Sequence, residues 1–392
     1  MFRFTLLLLL FSLTYYSQCK ASEDPLLLVQ VVIRHAERGS VSGYITEEAK
    51  EIFFRGHQEL TDDGIDHAHK QGLHFRDRYV KNGFIDGRMI PNQVYFQSSA
   101  VRRVLMSCKS FASGLFDKTE NGNKCLPPIL TEMNMLEDKL LVPDVSCPDD
   151  WDDMYDKYGI ARADKPTTRE AQVVQVLSKL DFPDDCKNVS FDMIDALIAE
   201  NANSKIKTLS SQQRKCANNG AQWLMYKYVG LLSGSGDDFN EKRIKRTVGV
   251  LTNTLLHNMQ ERVSCTEDCD KSKFRVYYTH DTNVLSIGHI FDALPQFRSR
   301  TPAFSSAVVI ELRNGTNGPY VSVFLKNGHE SKFEETSRNK KNLLSAVVKA
   351  KSRFALKSPM SCSTYKVETN IIYSSILLIS ALSIVIFIVR KF

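Results

Sequence analysis

The sequence predicts an α/β protein of three layers, helix on sheet on helix, with a mainly helical cap inserted into it and one transmembrane helix at its C-terminal end. Three observations predict this. Apolar, β-branched runs at 26–33, 94–96 and 274–278 read as buried strands, and each ends in charged or hydroxyl-bearing residues. Between the second and third runs, residues 117–263 change character: Pro, Asp and Lys increase and helical periods replace strand runs. Residues 371–389 form an uninterrupted uncharged stretch about long enough to cross a bilayer once.

The first run delivers Arg34-His35-Ala36-Glu37-Arg38-Gly39-Ser40. In open α/β sheets ligands sit just beyond the carboxyl ends of such strands. Arg34 and Arg38, four apart around His35, make a fork for an oxyanion, and the imidazole between them is placed to attack a phosphorus atom held there. A lone Arg-His pair is more often a surface charge beside a satisfied histidine. Here the residues resemble the R-H-G-x-R-x-P signature of the histidine acid phosphatases, within branch 2 of the histidine phosphatase superfamily. Ala36 stands where that family has glycine and Ser40 where it has proline. Neither lost residue carries charge or a nucleophile, but alanine demands ordinary φ/ψ and the turn loses a fixed φ.

Residues 41–59 have no clean period and read as an active-site loop. Leu60-Thr61-Asp62-Asp63-Gly64 opens a helix, with Thr61 as N-cap, acidic residues in the first turn, and Leu73, Tyr79 and Val80 supplying its buried face. The Leu-Thr-x-x-Gly pattern also resembles the family. His67, His69 and His74 on this helix lack a Cys or carboxylate at ligand spacing and read as surface residues rather than a metal site. The second run empties into Ser98-Ser99-Ala100-Val101-Arg102-Arg103 and a helix to about Phe116. Aligned on Arg-x-Leu-Met-Ser, the family's third phosphate-binding arginine falls on Arg103, while Arg102, turned about 100° away, reads as a salt-bridge or surface residue.

Helices are expected in the cap at 167–180, 191–201, 209–232 and 240–261, with a flexible Ser-Gly loop at 230–238. The third run ends in Thr279-His280-Asp281-Thr282, the second half of the family signature, opening a helix toward Phe291. Residues 304–312 and 320–325 flank Asn-Gly steps that mark a hairpin. A closing helix at 340–355 and a stalk at 358–370 complete the soluble part, and no internal repeat is present.

The resemblance implies a phosphoglycerate-mutase-like sandwich and an acid phosphatase acting on small phosphate monoesters. In it His35 forms a phosphohistidine, Arg34, Arg38, Arg103 and His280 hold the phosphoryl oxygens, and Asp281 is the proton donor. It requires no metal and no cofactor, and it leaves a homodimer open. Two alternatives stand beside it: an inositol-polyphosphate or lysophospholipid phosphatase of the same superfamily, and a catalytically weak, membrane-tethered binding protein for which Ala36 and Ser40 are the hints.

Composition is ordinarily globular, 43% hydrophobic and 24% charged over 392 residues. Residues 1–21 read as a secretory signal peptide, which makes 22–366 the lumenal domain, 371–389 a membrane anchor and 390–392 a basic cytoplasmic tail. The expected topology is single-pass type I, with the catalytic part in the lysosome lumen or at the cell surface. Removing Arg3, Lys20, Arg390 and Lys391 from the formal charge of +6 leaves +2, which gives nucleic-acid binding no support. Eight cysteines remain after the signal, an even set that suggests four disulfides among 105 formal pairings. Cys265 and Cys269 are close enough for a local bridge, and this weighs against Cys269 to Arg275 as a cysteine-phosphatase C-x5-R motif, which also lacks a glycine-rich cradle. By resemblance to the family, Cys147 pairs with Cys362, and Cys186–Cys216 and Cys108–Cys125 are assigned to what remains. The sequons at Asn188 and Asn314 mark surface loops if glycosylated.

Overall fold

The computed structural model describes residues 24–41, 43–116, 125–134, 137–142, 184–187, 189, 191–229, 241–266, 272–297, 301–336 and 342–360. Among them the strands are β1 (Leu26–Arg34), β2 (Val94–Ser98), β3 (Ile129–Leu130), β4 (Phe274–Thr279), β5 (Ala307–Gly315), β6 (Gly318–Lys326), β7 (Glu334–Glu335) and β8 (Asn342–Leu343). The helices are α1 (Glu47–Ile52), α2 (Asp62–Phe75), α3 (Arg102–Leu115), α4 (Phe191–Ala202), α5 (Ser211–Val229), α6 (Glu241–Ser264), α7 (Asp281–Ile290) and α8 (Leu344–Lys351).

The strands form one sheet in the order β3-β2-β4-β1-β5-β6-β7, with β8 also on β6. β1 pairs in parallel with β4 and antiparallel with β5, and β2 runs parallel to β4. Covered on both faces, β1 alternates between two cores. Val29, Val31 and Ile33 meet Phe75, Phe111 and Phe274 on one side, and Leu28 and Val32 meet Leu255, Met259 and Val284 on the other. Gln30 in mid-strand is fully buried and satisfied. Its amide donates to the Leu255 carbonyl at 2.9 Å and its oxygen accepts from Asn258 Nδ2 at 2.8 Å.

α2 and α3 touch backbone to backbone. A Cβ on Gly72 would lie 2.1 Å from the Phe111 carbonyl oxygen, and one on Gly114 would lie 2.1 Å from that of His69. The buried face of α2 is therefore made of small residues, Gly64, Ala68 and Gly72, with Gln71 and Phe75. Tyr79 is buried as expected, whereas Leu73 and Val80 are only half-buried.

The insertion ends earlier than its expected boundary at 263. Ile244, Val248, Leu251, Leu255 and Met259 of α6 pack in the same core as Leu28, Val32 and Tyr277, so α6 belongs to the layer on the sheet. A helical period says how a helix is stripped of water, not which surface strips it. The described part of the cap is α4, α5 and a short turn at Asp184–Cys186, with Leu197, Ile206, Leu209 and Ala217 packed against Ala49 and Phe53. Cys186 and Cys216 are bonded across it, Cα to Cα 5.0 Å.

The loop 41–59 is also more ordered than its sequence suggests. Thr46 caps α1, its Oγ1 accepting from Ala49 N–H at 3.2 Å. The buried Glu200 carboxylate of α4 accepts from Ile45 N–H at 2.6 Å, Thr46 N–H at 3.1 Å and Thr46 Oγ1–H at 2.8 Å. A carboxylate at a helix N-terminus is favoured by the exposed amides there, and this one staples the cap to α1.

One cysteine assignment is corrected. Cys108 and Cys125 are both unbonded: Cys108 is buried on α3 among Phe96, Phe111 and Tyr278, and Cys125 is exposed. Cys265 is disulfide-bonded. Cys147, Cys269 and Cys362 lie outside the described residues, as do Asn188, the expected helix at 167–180, the signal segment and residues 371–389. No helix among the described residues is long and apolar enough to cross a membrane. The β5–β6 hairpin closes where Gly315 pairs with Gly318, whose φ of +105° suits glycine, and Asn314 beside it is exposed.

Candidate active site

Register brings the chemistry together. β1 and β4 align Arg34 with Thr279, and β2 and β4 align Ser98 with Tyr278, so three parallel strands end at one level. Two backbone bonds extend the alignment: His35 N–H to the Thr279 carbonyl at 3.0 Å and Ser99 N–H to that of Tyr278 at 3.1 Å. Beyond the strand ends α7 starts, with His280 as its N-cap and Asp281 in its first turn. α3 starts just after Ser99 and turns Arg103 inward, while the exposed Arg102 pairs with Glu59 on the rim.

The tautomer of His35 follows from its neighbours. Nδ1 lies 2.9 Å from the Ala36 carbonyl oxygen, which can only accept, so Nδ1 carries the proton and Nε2 keeps its lone pair. Arg103 Nε–H donates to that Nε2 at 3.3 Å. Burial, with the charges of Arg103, Arg34 and Arg38 behind it, holds the imidazole well below its usual range and therefore neutral. His280 stands with its ring centroid 5.7 Å from that of His35. Burial and Arg103 push its pKa down to about 3, and its Nε2 lies 3.3 Å from Ser99 Oγ.

Arg34 and Arg38 are each held on one edge and open on the other. Arg34 Nη1 donates to the Pro302 carbonyl at 2.6 Å, its Nη2 pairs with Asp281 Oδ2 at 2.7 Å, and its guanidinium lies over Phe304, 4.1 Å from the ring centroid. Arg38 takes Asp195 end-on, Nη1 to Oδ2 at 3.0 Å and Nη2 to Oδ1 at 2.6 Å. The Nε–H groups of both arginines are buried without an acceptor among the described residues. A guanidinium presents a second bidentate edge, Nε with Nη2, and buried donors are normally satisfied. Burial would raise the Asp281 pKa, but Arg34 and then His280 outweigh it and hold the carboxyl below the usual carboxylate range.

The two departures from the family signature are accommodated. Ala36 has no positive φ, its methyl packs against Leu60 and Ala68, and its N–H donates to Ser107 Oγ at 3.0 Å. Ser40 replaces the stiffness of a proline with a hydrogen bond from its hydroxyl to the Gly43 carbonyl. A tighter constraint sits at Gly64, where a Cβ would meet the Glu37 carbonyl oxygen at 2.2 Å. Gly64→Ala is expected to destabilise the fold by about 1–3 kcal/mol, as overpacking does. Activity should fall further than the urea midpoint implies, because the displaced backbone is two residues from His35. Unchanged activity in a variant with a lowered midpoint would count against that coupling.

Three features of the site escape sequence reasoning. Asp195 is one; three residues after Asp192 on the same side of α4, it has no local signal in the sequence that sets it apart. Gln58 is another, with φ of +64° and its Oε1 accepting from Arg103 Nη1–H at 3.3 Å. The third corrects the reading of His67 as a surface residue. Its ring stacks on His329 with centroids 3.5 Å apart, and its Nδ1 lies 3.1 Å from Glu37 Oε1. Burial would lower the His67 pKa, but Glu37 raises it, whereas burial and His67 push His329 down to about 4. His69 is half-buried against Ser113, and His74 is exposed.

A neutral imidazole at the end of β1 thus stands among arginines, with His280 and Asp281 at the end of the neighbouring strand. A family model for the histidine phosphatase superfamily (branch 2) matches residues 26–326, and the chain belongs to that family. "Putative acid phosphatase 1" of Caenorhabditis elegans is 29% identical over 337 residues, covering 81% of this chain and 75% of the relative. Human prostatic acid phosphatase is 24% identical over 342 residues, 81% of this chain and 82% of the relative, and Xenopus laevis lysosomal acid phosphatase is 25% identical over 337 residues, 82% and 73%. Family and relatives together make the chain a phosphomonoester hydrolase of the acid phosphatase kind. The α/β fold with its central sheet also matches the apo form of Hafnia alvei phytase, with a TM-score of 0.57 at 16% identity over 86% of this chain and 98% of that one, a likeness of fold.

Proposed function

We propose that the chain hydrolyses phosphate monoesters through a phosphohistidine on His35, with Asp281 as proton donor, in a lumenal or extracellular compartment. The observation that carries this reading is the neutral His35, its Nε2 lone pair turned toward Arg103, beside Arg34 and Arg38, whose buried Nε–H groups have no acceptor among the described residues. A phosphoryl group seated on those donors, on Arg103 and on His280 has its negative charge stabilised in the transition state. Nε2 forms a bond to phosphorus as the ester oxygen leaves. The Arg34 pair keeps Asp281 ionised, but a phosphoryl dianion entering beside it raises its affinity for a proton. The protonated carboxyl then donates to the leaving oxygen. In the second step the same carboxylate takes a proton from water, whose oxygen attacks phosphorus and releases His35.

Hydrolysis of an aryl phosphate, glycerol phosphate, a lysophospholipid phosphate and inositol hexakisphosphate, compared at acidic pH, tests the reading. Comparable rates on the first two define a broad acid phosphatase. A strong preference for inositol hexakisphosphate would replace that with an inositol-polyphosphate phosphatase, the reading favoured by the phytase-like fold. Phosphate binding without hydrolysis of any ester would leave a binding protein. The signal peptide and the anchor at 371–389 belong to the same proposal, supported by the uncharged run and the basic pair after it. Protease added to sealed microsomes should spare almost the whole chain, and cleavage near Asn314 would overturn that topology.

A further inference from the structure

The mechanism makes no use of Asp195, although among the described residues it is the carboxylate of the cap that lies against the phosphate-binding arginines. We infer that Asp195 is a specificity-determining residue, a fixed negative charge that admits substrates bearing one phosphoryl group and turns away those bearing several. The inference rests on the phosphatase reading above and narrows its substrate class.

Geometry fixes the carboxylate in place. Both oxygens are taken end-on by Arg38, and Oδ2 also accepts from Val41 N–H at 2.6 Å, so the side chain cannot swing aside without losing three bonds. It is also the more exposed member of the pair, with 26% of its side chain open to solvent against 8% for Arg38. By holding the end-on edge it leaves Arg38 only the Nε edge, whose buried Nε–H has no other acceptor. That edge suits two oxygens of one phosphoryl group.

Charge accounting points the same way. Arg34, Arg38 and Arg103 carry three positive charges, Asp281 and Asp195 two negative ones, and His35 and His280 are neutral. Once Asp281 takes up the proton it donates to the leaving oxygen, a single phosphate dianion balances the surplus in full. A further phosphate on the same leaving group then meets Asp195, and Arg102 on the rim is already paired with Glu59. Like charges brought together at a binding site cost enough to select between ligands.

The decisive measurement is the ratio of kcat/KM for inositol hexakisphosphate to that for glycerol phosphate, in wild type, Asp195→Asn, Asp195→Ser and Glu200→Gln. Each Asp195 variant should raise the ratio about tenfold at low salt, with the gain shrinking as salt screens the charge. Glu200→Gln loosens the same helix from α1 without touching Arg38 and should leave the ratio alone. An unchanged or lowered ratio in both folded Asp195 variants, or an equal rise in Glu200→Gln, overturns the inference. A second arm needs no variant: inorganic phosphate should inhibit the wild type more tightly than inositol hexakissulfate, and the reverse order overturns it. Wild type that hydrolyses glycerol phosphate while failing these tests refutes the role of Asp195 alone. Wild type that hydrolyses no monoester refutes the activity reading, and the inference falls with it.

Discussion

His35→Ala is expected to lower kcat by roughly 10⁴-fold or more, the scale on which removal of a covalent nucleophile acts. The arginines that remain can bind phosphate but offer no atom to attack it. Binding of inorganic phosphate should therefore survive the substitution while turnover does not. An alkaline quench of wild type with substrate should trap a phosphoryl group stable in alkali and labile in acid, as a phosphoramidate is, and His35→Ala should trap none. The pH dependence has a definite sign. His35 attacks when neutral, and burial with Arg103 holds its pKa well below 6.5. The acid limb of kcat/KM should accordingly lie below 6.5, and Arg103→Gln, which removes the nearest positive charge, should move that limb upward. Near-normal turnover in His35→Ala would remove the nucleophile from the mechanism.

Asp281→Asn should separate substrates by their leaving groups. Loss of a general acid costs about 10²–10⁴-fold where the leaving oxygen needs a proton. Alkyl esters such as glycerol phosphate should show most of that loss, while an activated aryl phosphate still phosphorylates His35. The second step then lacks its base, so phosphoenzyme should accumulate and aryl product should appear as a burst. Equal losses on both substrates would point to a structural role instead. The substitution also deprives the buried Arg34 of its charge partner, whose side chains are 5% and 18% exposed. A destabilisation of about 3 kcal/mol is expected, and the comparison belongs well below the melting range.

What is legible in the sequence is what local chemistry determines. The apolar runs ending at Arg34, Ser98 and Thr279, the Thr61 cap on α2 and the hairpin at Gly315–Gly318 each follow from side-chain period or turn preference within a few residues. Arg103 is singled out by its resemblance to the family's Arg-x-Leu-Met-Ser, and helix geometry then turns Arg102 away from it. Long-range partners are not encoded in that way. Asp195 meets Arg38, and Glu200 meets Thr46, across more than 150 residues, and nothing near Asp195 marks it as facing an arginine rather than water. His67 reads as a surface histidine because its stacking partner His329 lies on a distant loop. Small residues mislead too: the close α2–α3 contact is made through Gly72 and Gly114, where hydrophobic pattern expects Leu73 and Val80. The cysteines divide by burial, which spacing cannot supply, since Cys108 faces the core while Cys125 faces solvent.

The place of β1 in the sheet also sets a schedule for biosynthesis. Both neighbours of this strand, β4 and β5, come from the last third of the chain, and β4 begins at Phe274, 240 residues after Arg34. At about 5–20 residues per second, the ribosome leaves β1 without either partner for roughly 12–48 s. During that interval a nine-residue apolar strand has two unpaired edges, the condition under which strands join the wrong chain. Nascent chains arrested before Phe274 should hold β1 open to protease and to holdase chaperones. Chains arrested with residues 274–326 clear of the exit tunnel should protect it, because only then is there a sheet for the strand to enter.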